Sequence, residues 1–304
     1  MLPAVFSAGL VFGQPGRTVT RVITIVTEPN AVVWIDDIKR GVTDESGRLV
    51  IKPLPAGLRK VRVRADGYKE ASMSLLPAQK GEVKVGLTKT ADEAELAFQE
   101  AERQSLRDRA RAVEFYRKAI AARPLYAEAH LALARVLSAN GDNEGALKAI
   151  AAARKARLNY AEASAVEGRI HKADNEEEKA IASFKRAIAE GRGFQPEAHT
   201  GLALLYKERA EGFAADGDFE NEKINYDLAA GELKKGLAQL SGAPDAKELY
   251  QLLGDLYYRA KKYRDAIKVY EEFLLVFPDS PEATTMRSLI VQTTKEMNGE
   301  TIEN

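Results

Sequence analysis

The sequence predicts a multidomain chain of β + α class, a small antiparallel β-sandwich followed by an α-helical solenoid. Three observations predict it. Alternating β-branched stretches crowd into residues 18–90. Beyond residue 91, small and large residues recur every 34 positions, the mark of a repeat array. The charge is also divided: residues 1–90 hold 14 Lys+Arg and 8 Asp+Glu, and residues 91–304 hold 31 and 37. Such asymmetry fits two parts with different surfaces.

The whole chain of 304 residues is electrically neutral, 45% apolar and 30% charged, as a globular protein should be. Neither part is basic enough to point to nucleic acid. With no cysteine, the chain can form no disulfide, thiolate nucleophile or Cys-based zinc site. Leu2 to Gly13 is uncharged. It is shorter than the roughly 20 residues a spanning helix needs, so no transmembrane segment is expected. It fits the apolar core of a secretory signal, although no basic residue precedes it. Residues 1–17 are therefore read as a signal peptide or a disordered tail.

Between Val19 and Lys89 four stretches read as strands: "RVITIVTE", "AVVWIDD", "RLVIKPL" and "KVRVRA". Turn residues separate them: Pro29-Asn30, Gly41, Asp44 to Gly47, Pro55 to Gly57 and Asp66-Gly67. Short strands at this spacing suggest a sandwich. Along "KVRVRA", Val61, Val63 and Ala65 share one face, and Lys60, Arg62 and Arg64 the other. The basic face is either a solvated one that discourages edge pairing or a strip for an anionic surface polymer or the acidic second half. Trp34, the single tryptophan, is expected in the core or rim.

The stretch "TEPNAVVWIDD…RGVTD…LPAGLRKVRVRADGYKE" resembles a PEGA domain, through Pro29, Ala31, Asp36, Gly41, Gly57, Gly67 and Tyr68. Through "GVTDESGRLVIKPLPAG" it is also similar to the transthyretin-like domain of the carboxypeptidase regulatory type. "PNA" departs from the four namesake residues. The resemblance implies a non-catalytic accessory β-sandwich outside the cytoplasm of bacteria. With an apolar leader, it places the protein in the periplasm or envelope; without one, in the cytoplasm.

In the second part Ala112, Ala146 and Ala180 are spaced by the repeat, as are Ala119, Ala153 and Ala187, with Tyr116, Ile150 and Phe184 between them. This small–large–small set resembles the tetratricopeptide repeat, in which two helices pack as a hairpin. The resemblance implies about five hairpins over residues 91–280, at 93–126, 127–160, 161–195, 196–246 and 247–280. A capping helix at 281–298 and a tail at 299–304 follow. The first helix of the first hairpin is degenerate, and Phe273 stands where the family has a small residue. In the fourth hairpin Ala203 to Ala229 is 26 residues where Ala134 to Ala146 is 12. The surplus predicts two longer helices, each about two turns or roughly 10 Å longer than its neighbours.

The acidic stretch "FAADGDFENEKINYD", Phe213 to Asp227, lies in that surplus. A calcium loop starting at Asp216 would have Asp218 and Glu220 in place, but Asn221 where glycine is needed and Asp227 where a bidentate Glu is needed. A turn explains it better: Asp216-Gly217 ends one helix and Asp218 caps the next. Phe213 and Ile224 would then pack across the tip. No catalytic motif of the common kinds is present. The three histidines, His130, His171 and His199, fit packing roles, so no enzyme, cofactor or metal is expected.

The repeats leave a surface. Stacked hairpins curve, and the resemblance puts Arg135, Ser138, Arg169, Lys172, Thr200, Lys207, Gln251, Asp255 and Tyr258 on the concave side. Arg135, Arg169, Lys172 and Lys207 would form a basic stripe for an acidic peptide, unless they pair with Glu on neighbouring helices. The expected function is an envelope scaffold or adapter gripping a protein partner in that groove. The other class is a protein binding anionic polysaccharide through its sandwich, with the repeats as a spacer.

Overall fold

In a computed structural model, residues 20–240 and 242–300 are described; the signal-like segment Leu2–Gly13 lies outside them. Among the described residues seven strands come first: β1 (Thr20–Val26), β2 (Val32–Ile35), β3 (Ile38–Val42), β4 (Arg48–Pro55), β5 (Arg59–Arg64), β6 (Ala71–Leu75) and β7 (Gly81–Lys84). They make two sheets, ordered β4-β1-β7 and β3-β2-β5-β6. Alternate residues point inward, so Ile23, Ile25, Val33, Ile35, Ile51, Leu54, Val61, Val63 and Leu75 form the core. The sandwich is not wholly antiparallel. β7 runs parallel to β1, with Ile25 opposite Val83. β3, β6 and β7 were not legible as strands, because "IKRGV", "ASMSL" and "GEVK" carry little β-branched patterning.

Arg21 is a buried residue that the sequence did not single out. Its Nη1 donates to the carbonyls of Leu76, Pro77 (2.9 Å) and Gln79 (2.9 Å), and its Nη2 to that of Gly57 (2.8 Å). One guanidinium thus ties the β4–β5 turn to the β6–β7 loop. Arg21→Ala is expected to lower stability by about 2–3 kcal/mol, read as the shift of a denaturant midpoint. A change below about 0.5 kcal/mol would show that water replaces the guanidinium without loss.

Eleven helices follow among the described residues. The hairpins are α1 (Glu93–Gln104) with α2 (Arg109–Ala122), α3 (Ala127–Ala139) with α4 (Asn143–Ala156), and α5 (Ala161–Ala173) with α6 (Glu177–Glu190). Then come α7 (Pro196–Ala215) with α8 (Phe219–Leu240), α9 (Ala246–Arg259) with α10 (Tyr263–Val276), and α11 (Ala283–Asn298) against α10. The repeating alanines and their large partners are all buried. The degenerate first helix still forms, burying Ala94, Ala97, Phe98 and Ala101, with Asp92 accepting from the Glu95 N–H. Phe273 is fully buried, edge-on to Tyr250 and 5.3 Å from the Phe277 ring, so an aromatic cluster replaces the small-residue contact.

α7 and α8 are 20 and 22 residues long, whereas α1 to α6 run 12 to 14. Between them Gly217 takes φ +75°, a left-handed turn residue, and Asp218 Oδ1 accepts from the Asn221 N–H at 3.1 Å. The acidic stretch is thus a helix–turn–helix tip. One expectation there fails. Ile224 is 48% exposed, and Asn225 takes the inward place, bonded to the Asn221 carbonyl. Asn225 follows Ile224 by one residue, a step of about 100° around the helix.

Candidate partner-binding face

α3 touches α5, and α5 touches α7, whereas no comparable contact joins the second helices of successive hairpins among the described residues. The first helices α3, α5 and α7 thus stand closer to one another than their second helices do. Arg135 on α3 and Arg169 on α5 converge on one carboxylate, Glu197 in the first turn of α7, at 3.3 and 3.2 Å. Both arginines stay about half exposed, at 45% and 53%. Lys172 reaches Glu208 on α7 at 2.5 Å. Lys207 pairs along its own helix with Glu211 at 2.7 Å, and Glu211 also faces Arg259 at 3.7 Å.

The other residues expected on this face serve local structure. Ser138 donates to the Asn143 side chain at 3.2 Å, and Thr200 to the Pro196 carbonyl. Asp255 accepts from Arg259 at 2.9 Å, Tyr258 packs against the Tyr263 ring, and Gln251 is exposed. The alternative to a free stripe, pairing with Glu on a neighbouring helix, is what Arg135, Arg169 and Lys172 show, and Lys207 pairs along its own helix; that the acids are Glu197, Glu208 and Glu211 was not foreseen. Glu197 had a signal, because Glu128 and Glu162 stand equally in the first turns of α3 and α5.

The sequence leaves two readings open for the basic face of β5: a solvated face that guards an edge, or a strip for an anionic polymer or the acidic second half. β5 lies between β2 and β6, so it has no free edge to protect. Arg62 stacks 4.3 Å over Trp34 and pairs with Asp37 and Glu70. Arg64 pairs with Glu70 at 2.7 Å and lies 4.7 Å over Phe98 of α1. Lys60 alone of the three is exposed. Trp34 is outside the core, opposite Arg62 on the outer face of the sheet.

His171 and His199 have partners within their own hairpins, whereas His130 reaches back to the turn before its own. His130 Nε2 lies 2.9 Å from the Pro124 carbonyl, and His171 Nδ1 2.7 Å from Glu176. His199 is buried, with Nδ1 2.6 Å from Glu232 of α8. Burial raises the Glu232 pKa, but hydrogen bonds from His199 and Lys235 outweigh it and hold the carboxyl below its ordinary value. A depressed carboxylate stabilises the fold above its unfolded pKa and loses that contribution as pH falls through the folded one. Glu232→Gln is therefore expected to cost about 1–3 kcal/mol near neutrality and to flatten the loss of stability below pH about 4.5. Urea midpoints measured from pH 7 to pH 3 would show it; parallel curves for the two proteins would refute it.

Two tetratricopeptide-repeat family models match the chain, over residues 105–170 and 247–289. The chain thus carries tetratricopeptide repeats, joined to an N-terminal β-sandwich. No curated protein matches it. Among solved structures, yeast Tom70 is 13% identical, with 68% of this chain aligned to 41% of that one at a TM-score of 0.54. A monomeric IFIT1 mutant with Gppp-AAAA is 15% identical over 69% of this chain and 47% of that one, at 0.51. A thermophilic TPR protein of Thermus thermophilus is 18% identical over 66% and 98%, at 0.47. The chain spans less than half the length of the Tom70 and IFIT1 chains, and at these identities the likeness is one of fold.

Proposed function

We propose that the protein is a non-catalytic scaffold or adapter of the bacterial cell envelope, which seats an acidic segment of a protein partner on the inner face of its repeats. The observation that carries this reading is the sharing of Glu197. Two arginines from consecutive first helices meet one carboxylate and keep about half their surface open. A partner carboxylate can add to that pair or displace Glu197 through charge-assisted hydrogen bonds. The PEGA-like sandwich and the apolar Leu2–Gly13 support the envelope. No helix among the described residues is long and apolar enough to cross a membrane.

The polysaccharide reading has less support. It calls for an open aromatic with free polar neighbours, whereas Trp34 lies beneath arginines that have acidic partners. Arg135→Glu combined with Arg169→Glu is the test: partner capture is lost in a folded chain if the reading is right, and unchanged if it is wrong.

A further inference from the structure

The sandwich touches the solenoid in two places far apart along it. One is α1. The Gly67 N–H donates to Gln99 Oε1 at 2.7 Å, and Gln99 Nε2 donates to the Tyr68 carbonyl at 2.8 Å. Arg103 pairs with Asp66 at 2.8 Å, and Arg64 covers the Phe98 ring. The other place is the turn after α8 and the end of α10. A β-carbon at Gly242 would stand 3.1 Å from Pro53 Cδ and 3.3 Å from Val276 Cγ1, so only a bare backbone passes between β4 and α10. Gly242 also takes φ +75°, which disfavours any side chain there. Ile38 of β3 is 5% exposed, yet it is buried in the apolar cluster of α7 to α11, with residues such as Leu240, Ala243 and Phe273. Among the described residues it is the only strand residue in that cluster.

We infer that the sandwich is a strap joining the two ends of the repeat array, and that the contact at Ile38 is the end that releases. In a solenoid most contacts join neighbouring repeats, so curvature accumulates from small rotations and the array is soft to bending. A body held at α1 and at α8–α10 removes that freedom. The two attachments differ in kind. At α1 the bonds are directional, and the chain itself holds the domain close, because β7 ends at Lys84 and α1 begins at Glu93. At the far end the contact is apolar and made by residues distant in sequence. Apolar contact is non-directional, so it can part and re-form without a fixed geometry. When it parts, the first and last hairpins are free to separate and the inner face widens. This device does not depend on what that face binds.

The cysteine-free sequence makes the test direct, because two introduced cysteines are the only labelling sites. Spin labels at Glu45→Cys in the sandwich and Lys268→Cys on α10, both at exposed positions, report the separation in the full chain by pulsed electron paramagnetic resonance. One narrow distance distribution is expected. Ile38→Glu should broaden it and move it to longer distance. Val276→Glu, on α10 across Gly242 from Pro53, should do the same and stands alone if Ile38→Glu fails to fold. A broad distribution in the otherwise native chain overturns the strap. So does a distribution that Val276→Glu leaves unmoved in a chain with native helicity.

Discussion

Phe184→Ala is expected to cost about 3–5 kcal/mol of stability, the range for deleting a fully buried aromatic ring. Phe184 is fully buried on α6 and is the large member of its repeat's small–large–small set. Its ring lies against two glycines on successive first helices. A β-carbon at Gly168 of α5 would stand 2.6 Å from its Cδ1, and one at Gly201 of α7 2.2 Å from its Cζ. The ring therefore fills the junction between the third and fourth hairpins, touching main chain on both sides. Alanine would leave a void that neither helix can close, since each is also packed within its own hairpin. Gly201→Val approaches the same junction from the other side and should cost about 1–3 kcal/mol through overpacking. Chemical denaturation followed by far-ultraviolet circular dichroism would measure both. A loss below about 1 kcal/mol for Phe184→Ala would mean that the junction collapses, and the account of repeat stacking would be wrong.

The second large effect is on binding. Reversing Arg135 and Arg169 together to glutamate should weaken capture of an acidic partner by at least about tenfold, the scale of losing a charge pair across an interface. Fold stability should change little, because both side chains are about half exposed and such pairs contribute little there. Glu197→Gln supplies the opposite sign. It removes the carboxylate that competes for both arginines, so affinity for an acidic segment should rise. Isothermal titration with the captured partner would separate the cases. If Glu197→Gln weakens binding, Glu197 is part of the recognition surface and the proposed displacement is wrong.

What the sequence disclosed, and what it hid, follows from the range of the interactions involved. The alanine period was legible because the close approach of two helices in one hairpin admits only a small residue at Ala112, Ala146 and Ala180. The long fourth hairpin was legible by counting between Ala203 and Ala229. β3, β6 and β7 were hidden because partner strands, more than their own residues, make them strands. The shared carboxylate was hidden because Arg135, Arg169 and Glu197 come from three hairpins, and only the curvature brings them together. Arg21 and Ile38 were hidden for the same reason. Their partners are carbonyls and apolar atoms remote in sequence, which no local pattern announces. The basic face at Lys60, Arg62 and Arg64, read from β5 alone as a solvated face or a strip for an anionic partner or the second half of the chain, is engaged at its two arginines by Glu70, Asp37 and α1.

The central claim is that the inner face of the repeats holds an acidic segment of a partner. The most direct measurement is affinity capture from bacterial envelope extracts, with the intact chain and the Arg135→Glu/Arg169→Glu chain side by side. Both would first be shown to be folded and equally stable. The account predicts a protein retained by the intact chain and absent from the reversed one. The same proteins retained by both would contradict it.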